Sequence, residues 1–167
     1  PVIRDEPRRS VSPLRLFAAP ERVEEFFAGT PRERCLIIVG PVPPDQGAAV
    51  TALVADYDCL VIAEAISNLG LHQTLLKNLR RDTELQLDGI EKVLRIGGTP
   101  TCRLWRDLEE WPAIKVAHLT DLPFTGLARG GGILGDLPPA ATAGNLGKRV
   151  SAEHGAVRSQ EELPDRE

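Results

Sequence analysis

Short apolar runs alternate along the chain with stretches of helical periodicity. Four runs rich in Ile, Val and Leu occupy residues 35–40, 59–63, 92–96 and 113–119, and a shorter one, GILGDL, occupies residues 132–137. Continuous apolar runs of this length are typical of strands that are covered on both faces of a sheet. The pattern therefore predicts four strands and a short fifth.

Helical patterns precede the first run and fill most of the gaps between the others. They occupy residues 20–28, 45–57, 71–79 and 101–110, where apolar side chains recur at helical spacing. Strand, helix and strand in this order predict βαβ units with right-handed crossovers. The expected fold class is α/β, with a doubly wound, mostly parallel, Rossmann-like sheet of five to six strands.

The length of 167 residues fits one domain, which we place at residues 14–150. Residues 1–13 hold three prolines and five charges without periodicity, and they predict a linker from an upstream domain. Residues 151–167 are polar and acidic, and they predict a tail or a linker to a downstream domain. Because the chain starts with Pro1 and contains no Met, we expect it to be a piece of a larger protein.

The composition narrows the class of partner. A net charge of −4 argues against nucleic acid, which normally requires a basic patch. No apolar stretch reaches the length of a membrane span, and the first residues lack the layout of a signal peptide. We therefore expect a cytoplasmic protein without a nucleic-acid or membrane partner.

Ligands of doubly wound sheets bind at the carboxyl ends of the strands. In this chain those ends are predicted at residues 40–44, 64–70 and 97–103. None of these turns contains G-x-G-x-x-G or G-x-x-x-x-G-K-[ST], the fingerprints of nucleotide sites. The fold class thus predicts where a ligand would bind, but no motif identifies a nucleotide.

The segment KVLRIGGTPTCRLWR, residues 92–106, predicts a strand, a turn and a helix. Arg103 lies at the predicted helix start, beside backbone N–H groups and the hydroxyls of Thr99 and Thr101. A guanidinium in this position can hold a carboxylate or phosphate. In the alternative reading, the glycines only turn the chain and Arg103 is a solvated side chain.

Three other charged residues attract attention. Glu64 follows the second predicted strand, where it can act as a general acid or base, cap a helix or face water. Arg95 lies within an apolar strand, so we expect it to reach the strand end or to pair with an acid such as Glu64. Arg129 lies in a Gly-rich loop, residues 122–131.

The histidines and cysteines show no metal-ligand spacing and no C-x-x-C motif. They are His72, His118, His154, Cys35, Cys59 and Cys102. Neither a disulfide framework nor a metal site is therefore predicted. Cys102 is a candidate nucleophile because a cysteine in the first turn of a helix can have a lowered pKa, but no general base is identifiable beside it.

Four segments together resemble one enzyme family. LRIGGTPTCRLWRDLEEW resembles a central-domain segment, R-x-G-x-x-P-x-S-K-R-L, of the thiamine-diphosphate-dependent 2-succinyl-5-enolpyruvyl-6-hydroxy-3-cyclohexene-1-carboxylate synthases. PVIRDEPRR is similar to P-V-H-x-N-x-P-F-R at the end of their first domain. GPVPPD resembles the loop after the first central strand, and AEAISNL resembles A-D-x-L-S-G-L. These segments span most of residues 1–137.

The resemblance implies the middle domain of three, between a pyrimidine-binding and a diphosphate-binding domain. In that family the outer domains hold thiamine diphosphate and Mg²⁺ or Mn²⁺ across the interface of a homo-oligomer, a dimer. The whole enzyme is a transferase of menaquinone biosynthesis that joins decarboxylated 2-oxoglutarate to isochorismate. The fragment itself is expected to hold no cofactor and to be inactive.

The resemblance also implies a substrate-binding role for Arg103. The family's basic pair after the proline binds the isochorismate carboxylate, and here Arg103 stands at its first position while Leu104 stands at the second. Cys102 replaces the family's Ser, and Arg8 replaces the aromatic residue of P-F-R. These departures indicate a divergent member or a paralogue.

Two alternatives remain open at this point. One is an independent Rossmann-like module that binds a small anion or a nucleotide at its strand ends. The other is the central domain of a different thiamine-diphosphate enzyme, such as acetolactate synthase, which shares the fold.

Overall fold

The computed structural model describes residues 20–69 and 77–138. Five strands are present in this part of the chain: β1 (Cys35–Val39), β2 (Leu60–Ala63), β3 (Lys92–Ile96), β4 (Lys115–Leu119) and β5 (Gly132–Gly135). The α-helices are α1 (Pro20–Phe27), α2 (Gly47–Asp56) and α3 (Arg103–Asp107). Short 3-10 turns occupy Arg32–Arg34, Ala65–Ser67 and Leu108–Glu110.

The five strands form one sheet in the order β2-β1-β3-β4-β5, and all neighbouring strands are parallel. This confirms the predicted α/β, Rossmann-like fold class. The chain moves from β1 outward to β2 and then crosses back over β1 to form β3. In sheets with this strand order, the reversal between β1 and β3 is the point where ligands bind.

Helices cover both faces of the sheet. On the first face, helices α1 and α2 pack on the strands through residues that include Val23, Phe27, Val50 and Leu53. On the second, which we call the α3 face, Leu104, Trp105 and Leu108 pack against strand residues that include Leu36, Ile38 and Val93. All five residues of β1 are buried, which explains why its sequence is apolar throughout.

Several predicted boundaries were wrong. Helix α3 begins at Arg103, after the extended Cys102, rather than at residue 101, and its last turn is a 3-10 turn. Strand β4 begins at Lys115, because Ile114 N–H closes a turn on the Trp111 carbonyl. Strand β5 ends at Gly135 rather than at residue 137.

The predicted helix at residues 71–79 falls largely outside the described residues. Its last residue, Leu79, forms an isolated parallel bridge with Val61, so the helix was predicted too far. The predicted linker, residues 1–13, and the predicted tail, residues 151–167, also lie outside the described residues. The domain boundaries therefore stay predictions.

No helix in residues 20–69 or 77–138 combines the length and the hydropathy needed to span a bilayer.

The ends of β1 and β3 meet backbone to backbone. Gly40 N–H donates to the Ile96 carbonyl over 3.0 Å, and Gly98 N–H donates to the Pro41 carbonyl over 2.7 Å. A Cβ atom on Gly40 would lie 2.5 Å from the Gly98 carbonyl oxygen. Gly97 has φ +88°, and a Cβ atom there would lie 2.4 Å from the Pro41 oxygen. Glycine is required at both positions.

We expect Gly40→Ala to lower the free energy of unfolding by about 2 kcal/mol or more, because the added methyl group meets rigid backbone. Gly132→Ala is the matched control, since a Cβ at Gly132 meets nothing within 4 Å. Urea unfolding of the 167-residue chain measures both effects. Equal stability of the two variants would contradict the close approach of β1 and β3.

Candidate functional site

The candidate site is the edge of the sheet where the parallel strands end. It comprises the loops after β1, β2, β3 and β4, as the sequence predicts. At its centre, the contact of Gly40 and Pro41 with Gly97 and Gly98 closes the space between β1 and β3. The two loops are therefore joined directly, backbone to backbone, at this point.

The backbone N–H groups at the start of α3 already have acceptors. Asp82 accepts hydrogen bonds from Arg103 N–H through Oδ2 and from Leu104 N–H through Oδ1, both over 2.9 Å. Glu64 Oε1 accepts from Thr101 N–H over 2.5 Å and from the Thr101 hydroxyl over 2.8 Å. The prediction that these N–H groups are free for an anion was wrong, because two carboxylates of the chain itself occupy them.

The Arg103 side chain turns away from the helix start. Its Nη1 donates to Asp107 Oδ2 over 2.5 Å, and its Nη2 donates to the carbonyls of Asp82 over 3.2 Å and Leu85 over 3.4 Å. The side chain is 41% exposed, so part of the guanidinium still faces solvent. These contacts fasten the segment before β3 to α3, and the substrate-binding role of Arg103 stays a prediction.

Leu104 occupies the place of the family's second basic residue, and it is 1% exposed within the α3 face. A charged side chain at that place would have to be buried. Of the two positions that correspond to the family's basic pair, only that of Arg103 carries a charge that reaches solvent.

Glu64 serves to connect two loops, because it binds Thr101 at the far side of the β1 and β3 ends. Of the roles that the sequence allows for Glu64, these hydrogen bonds agree best with a capping role. Its other oxygen, Oε2, is buried without a partner among the described residues. The alternative pairing of Glu64 with Arg95 does not occur among the ion pairs of residues 20–69 and 77–138.

Arg95 instead reaches the end of its strand, which is the other of the two arrangements expected from the sequence. Its Nη1 lies 3.4 Å from Thr99 Oγ1, and its Nη2 lies 3.5 Å from the Phe124 carbonyl. The guanidinium carbon lies 5.7 Å from the centre of the Trp105 ring. His118 is next to Arg95 in the sheet register, and its ring lies 5.9 Å from that of Trp105.

Sequence reasoning did not bring these three side chains together. We call Arg95, Trp105 and His118 the buried polar cluster; their exposed fractions are 0%, 3% and 0%. A signal existed, because Arg95 and His118 each interrupt an apolar strand near its carboxyl end. Without the strand order, however, nothing shows that the two strands are neighbours.

Burial shifts the pKa values of His118 and Cys102. Burial, assisted by the Arg95 charge, lowers the pKa of His118 to about 4, so the imidazole is neutral at pH 7. Burial raises the pKa of Cys102 to about 11, and the carboxylates of Asp82 and Glu64 add to the effect. The lowered pKa considered for Cys102 was wrong, because burial disfavours the thiolate and the charges that act on it are acids.

The remaining sequence candidates do not join the site. Cys35 and Cys59 are buried free thiols in the core. Arg129 donates from Nη1 to the Trp111 carbonyl over 2.8 Å. His72 and His154 lie outside the described residues. Within residues 20–69 and 77–138, no group of three or more His, Cys, Asp and Glu side chains is placed to hold a metal ion.

Comparison with known proteins confirms the predicted resemblance. A curated protein of Akkermansia muciniphila, named 2-succinyl-5-enolpyruvyl-6-hydroxy-3-cyclohexene-1-carboxylate synthase, is 33% identical over 103 residues, which are 61% of this chain and 19% of that protein. A protein of the same name from Bdellovibrio bacteriovorus is 34% identical over 112 residues, 63% of this chain and 21% of that protein. The chain thus spans about a fifth of the length of these relatives. No protein-family model matches the chain, and no solved structure matches it significantly.

The cap on α3 gives a first prediction for this site. Asp82→Ala removes the acceptor of two N–H groups, so we expect it to lower the free energy of unfolding by about 1–2 kcal/mol. Asp88→Ala, an exposed position on the same connection, should change it by less than about 0.5 kcal/mol. Denaturant titration of both variants provides the measurement, and similar losses in the two would contradict the cap.

A second prediction concerns pH. The folded pKa of His118 is about 4, below the value of about 6.5 for an unfolded chain, so the folded state disfavours the proton. Stability is then greatest above pH 6.5 and declines as the pH falls toward 4. Between pH 7.5 and pH 5 we expect His118 to account for a loss of roughly 2 kcal/mol.

The control is His118→Leu, which has no proton to gain. Its stability should change less between pH 7.5 and pH 5 than that of the parent chain, in urea titrations of both. If the two pH profiles run parallel, His118 does not titrate in this way.

Proposed function

We propose that the chain is the central domain of a thiamine-diphosphate-dependent synthase of menaquinone biosynthesis, which joins decarboxylated 2-oxoglutarate to isochorismate. The observation that carries the proposal is the shared name of two relatives, each about a third identical over more than half of this chain. Within that enzyme the chain is mainly a scaffold. The activity belongs to the complete protein, and the isolated chain is inactive.

The local structure at a family motif supports the assignment. The family pattern A-D-x-L-S-G-L has glycine where this chain has Asn68. Asn68 has φ +56°, a left-handed conformation that glycine adopts freely and that asparagine tolerates better than most residues. Its side chain donates to the Val42 carbonyl and so joins the loops after β1 and β2. The replacement therefore preserves the backbone conformation that a glycine in the motif allows.

Thiamine diphosphate and a divalent metal do not fit the described residues. The β1 and β3 ends are in contact, the N–H groups of α3 are capped by Asp82, and no cluster of metal ligands is present in residues 20–69 and 77–138. In the proposal, both cofactors are held by flanking pyrimidine-binding and diphosphate-binding domains of the same chain. The complete enzyme is a cytoplasmic homo-oligomer, a dimer.

Arg103 is the residue through which this domain contributes to substrate binding. Its ion pair with Asp107 is half exposed, and exposed pairs of this kind are worth about 0–1 kcal/mol. A substrate carboxylate can therefore replace Asp107 at the guanidinium at little cost. The contacts to the Asp82 and Leu85 carbonyls hold the side chain in place during the exchange.

The test uses the complete protein, supplied with thiamine diphosphate, Mg²⁺, 2-oxoglutarate and isochorismate. We expect formation of the synthase product. Arg103→Ala should raise the KM for isochorismate by about tenfold or more, the value of a charge-assisted hydrogen bond, and leave the KM for 2-oxoglutarate unchanged.

Arg106→Ala is the matched control, because Arg106 is an exposed arginine on the same helix. Its KM values should equal those of the parent enzyme. An unchanged KM for isochorismate in Arg103→Ala would remove the role of Arg103 but not the proposed reaction. Absence of product from the folded parent enzyme would contradict the reaction itself.

A further inference from the structure

Arg95 is a fully buried charge without a counter-ion in the described part of the chain. It lies between Ile38 of β1 and His118 of β4 in the sheet register, with an exposed fraction of 0%. None of the ion pairs formed among residues 20–69 and 77–138 includes it. Burial lowers the pKa of Arg95 only to about 10, so the guanidinium stays charged at pH 7. A buried charge of this kind is very unfavourable unless an anion neutralises it.

One edge of the guanidinium is poorly satisfied by the described residues. Nε has no hydrogen-bond partner, and the partner of Nη2, the Phe124 carbonyl, is 3.5 Å away. Good N–H···O bonds measure about 2.7–3.2 Å, so this contact is weak. Nε and Nη2 form the edge that binds a carboxylate through two parallel hydrogen bonds.

The rest of the buried polar cluster offers more donors than acceptors. The Trp105 indole nitrogen and both ring nitrogens of His118 are buried without a partner. Indole N–H is a donor, and neutral imidazole carries one N–H. Of nine buried polar side-chain atoms without a partner among the described residues, four belong to Arg95, Trp105 and His118. Their concentration in one place points to a ligand with acceptor oxygens.

The segment that covers the cluster is the β4–β5 loop, residues 120–131. Phe124 is 54% exposed, so its side chain does not anchor the loop in the core. Gly126 has φ +74°, and a Cβ atom there would lie 3.2 Å from Arg95 Nη1. The loop therefore approaches the guanidinium through its backbone, and its Phe124 carbonyl makes only a long contact with Nη2.

We infer that the buried polar cluster binds the carboxylate of a small organic acid, held side-on by Nε and Nη2 of Arg95. This site is separate from Arg103, because the two arginines share no hydrogen-bond partner. The Arg103 guanidinium contacts Asp107 and the segment before β3. The inference does not depend on the proposed function. A free acid and an acidic side chain from another part of the complete protein share this chemistry, and the experiment separates them.

The experiment titrates the 167-residue chain with sodium succinate or acetate, with NaCl holding the ionic strength constant. Trp111→Phe serves as the parent, because it leaves Trp105, the indole beside Arg95, as the only fluorophore of its kind. We expect a saturable change in Trp105 fluorescence, and a matching shift of the Arg95 Nε–H resonance in ¹⁵N spectra. NaCl alone should produce neither.

Two variants test the assignment to Arg95. Arg95→Met removes the charge, whereas Arg95→Lys keeps the charge but removes the pair of parallel N–H donors. Each variant should weaken binding at least tenfold. Arg106→Met, on the exposed side of the same helix as Trp105, should leave binding unchanged. If Arg95→Met does not fold, Arg95→Lys and the Nε–H spectrum of the parent still decide the question.

Absence of a saturable response in the parent would overturn the inference, as would retention of binding in Arg95→Lys. The complete protein distinguishes the source of the carboxylate. If succinate binds the 167-residue chain but not the complete protein, an internal acidic side chain occupies the site, and the assignment to a free acid is wrong.

Discussion

The backbone contact between the ends of β1 and β3 is the constraint on which the rest of the site depends. Gly40 and Gly98 can approach each other only because Gly40 carries no side chain. This approach fixes the turn that leads into α3, and with it the N–H groups that Asp82 and Glu64 cap. The loops at the point where a doubly wound sheet reverses its strand order are thereby joined by backbone hydrogen bonds.

The α3 face consists of an apolar core and, at one level along the strands, a layer of polar side chains. Leu36, Val93 and Leu108 pack as a close-packed core does, whereas Arg95 and His118 occupy the next level toward the carboxyl edge. The cation–π contact with Trp105 offsets part of the cost of burying the Arg95 charge. It leaves the hydrogen-bonding edge of the guanidinium unsatisfied, which is why this level stands out from the rest of the core.

Much of the fold was predictable from the sequence, because strands covered on both faces need continuous apolar runs. Strands β1 to β4 are such runs, and their alternation with helical patterns was enough to predict a parallel sheet. The site was less predictable. Asp82 lies about twenty residues before Arg103 in the chain, and no local pattern shows that the two meet. Burial raises the pKa of Cys102, and the Asp82 carboxylate adds to the effect through the same long-range contact.

The strand order also has a consequence for folding. Strand β1 lies between β2 and β3, and β3 follows β2 in the chain, so the nascent chain can pair only one edge of β1 until β3 has been made. All five strands are parallel, and each pairing therefore joins residues that are distant in the sequence. Such topologies fold slowly and expose strand edges while they do so. The apolar strand that organises the finished sheet is thus the segment most in need of protection during synthesis.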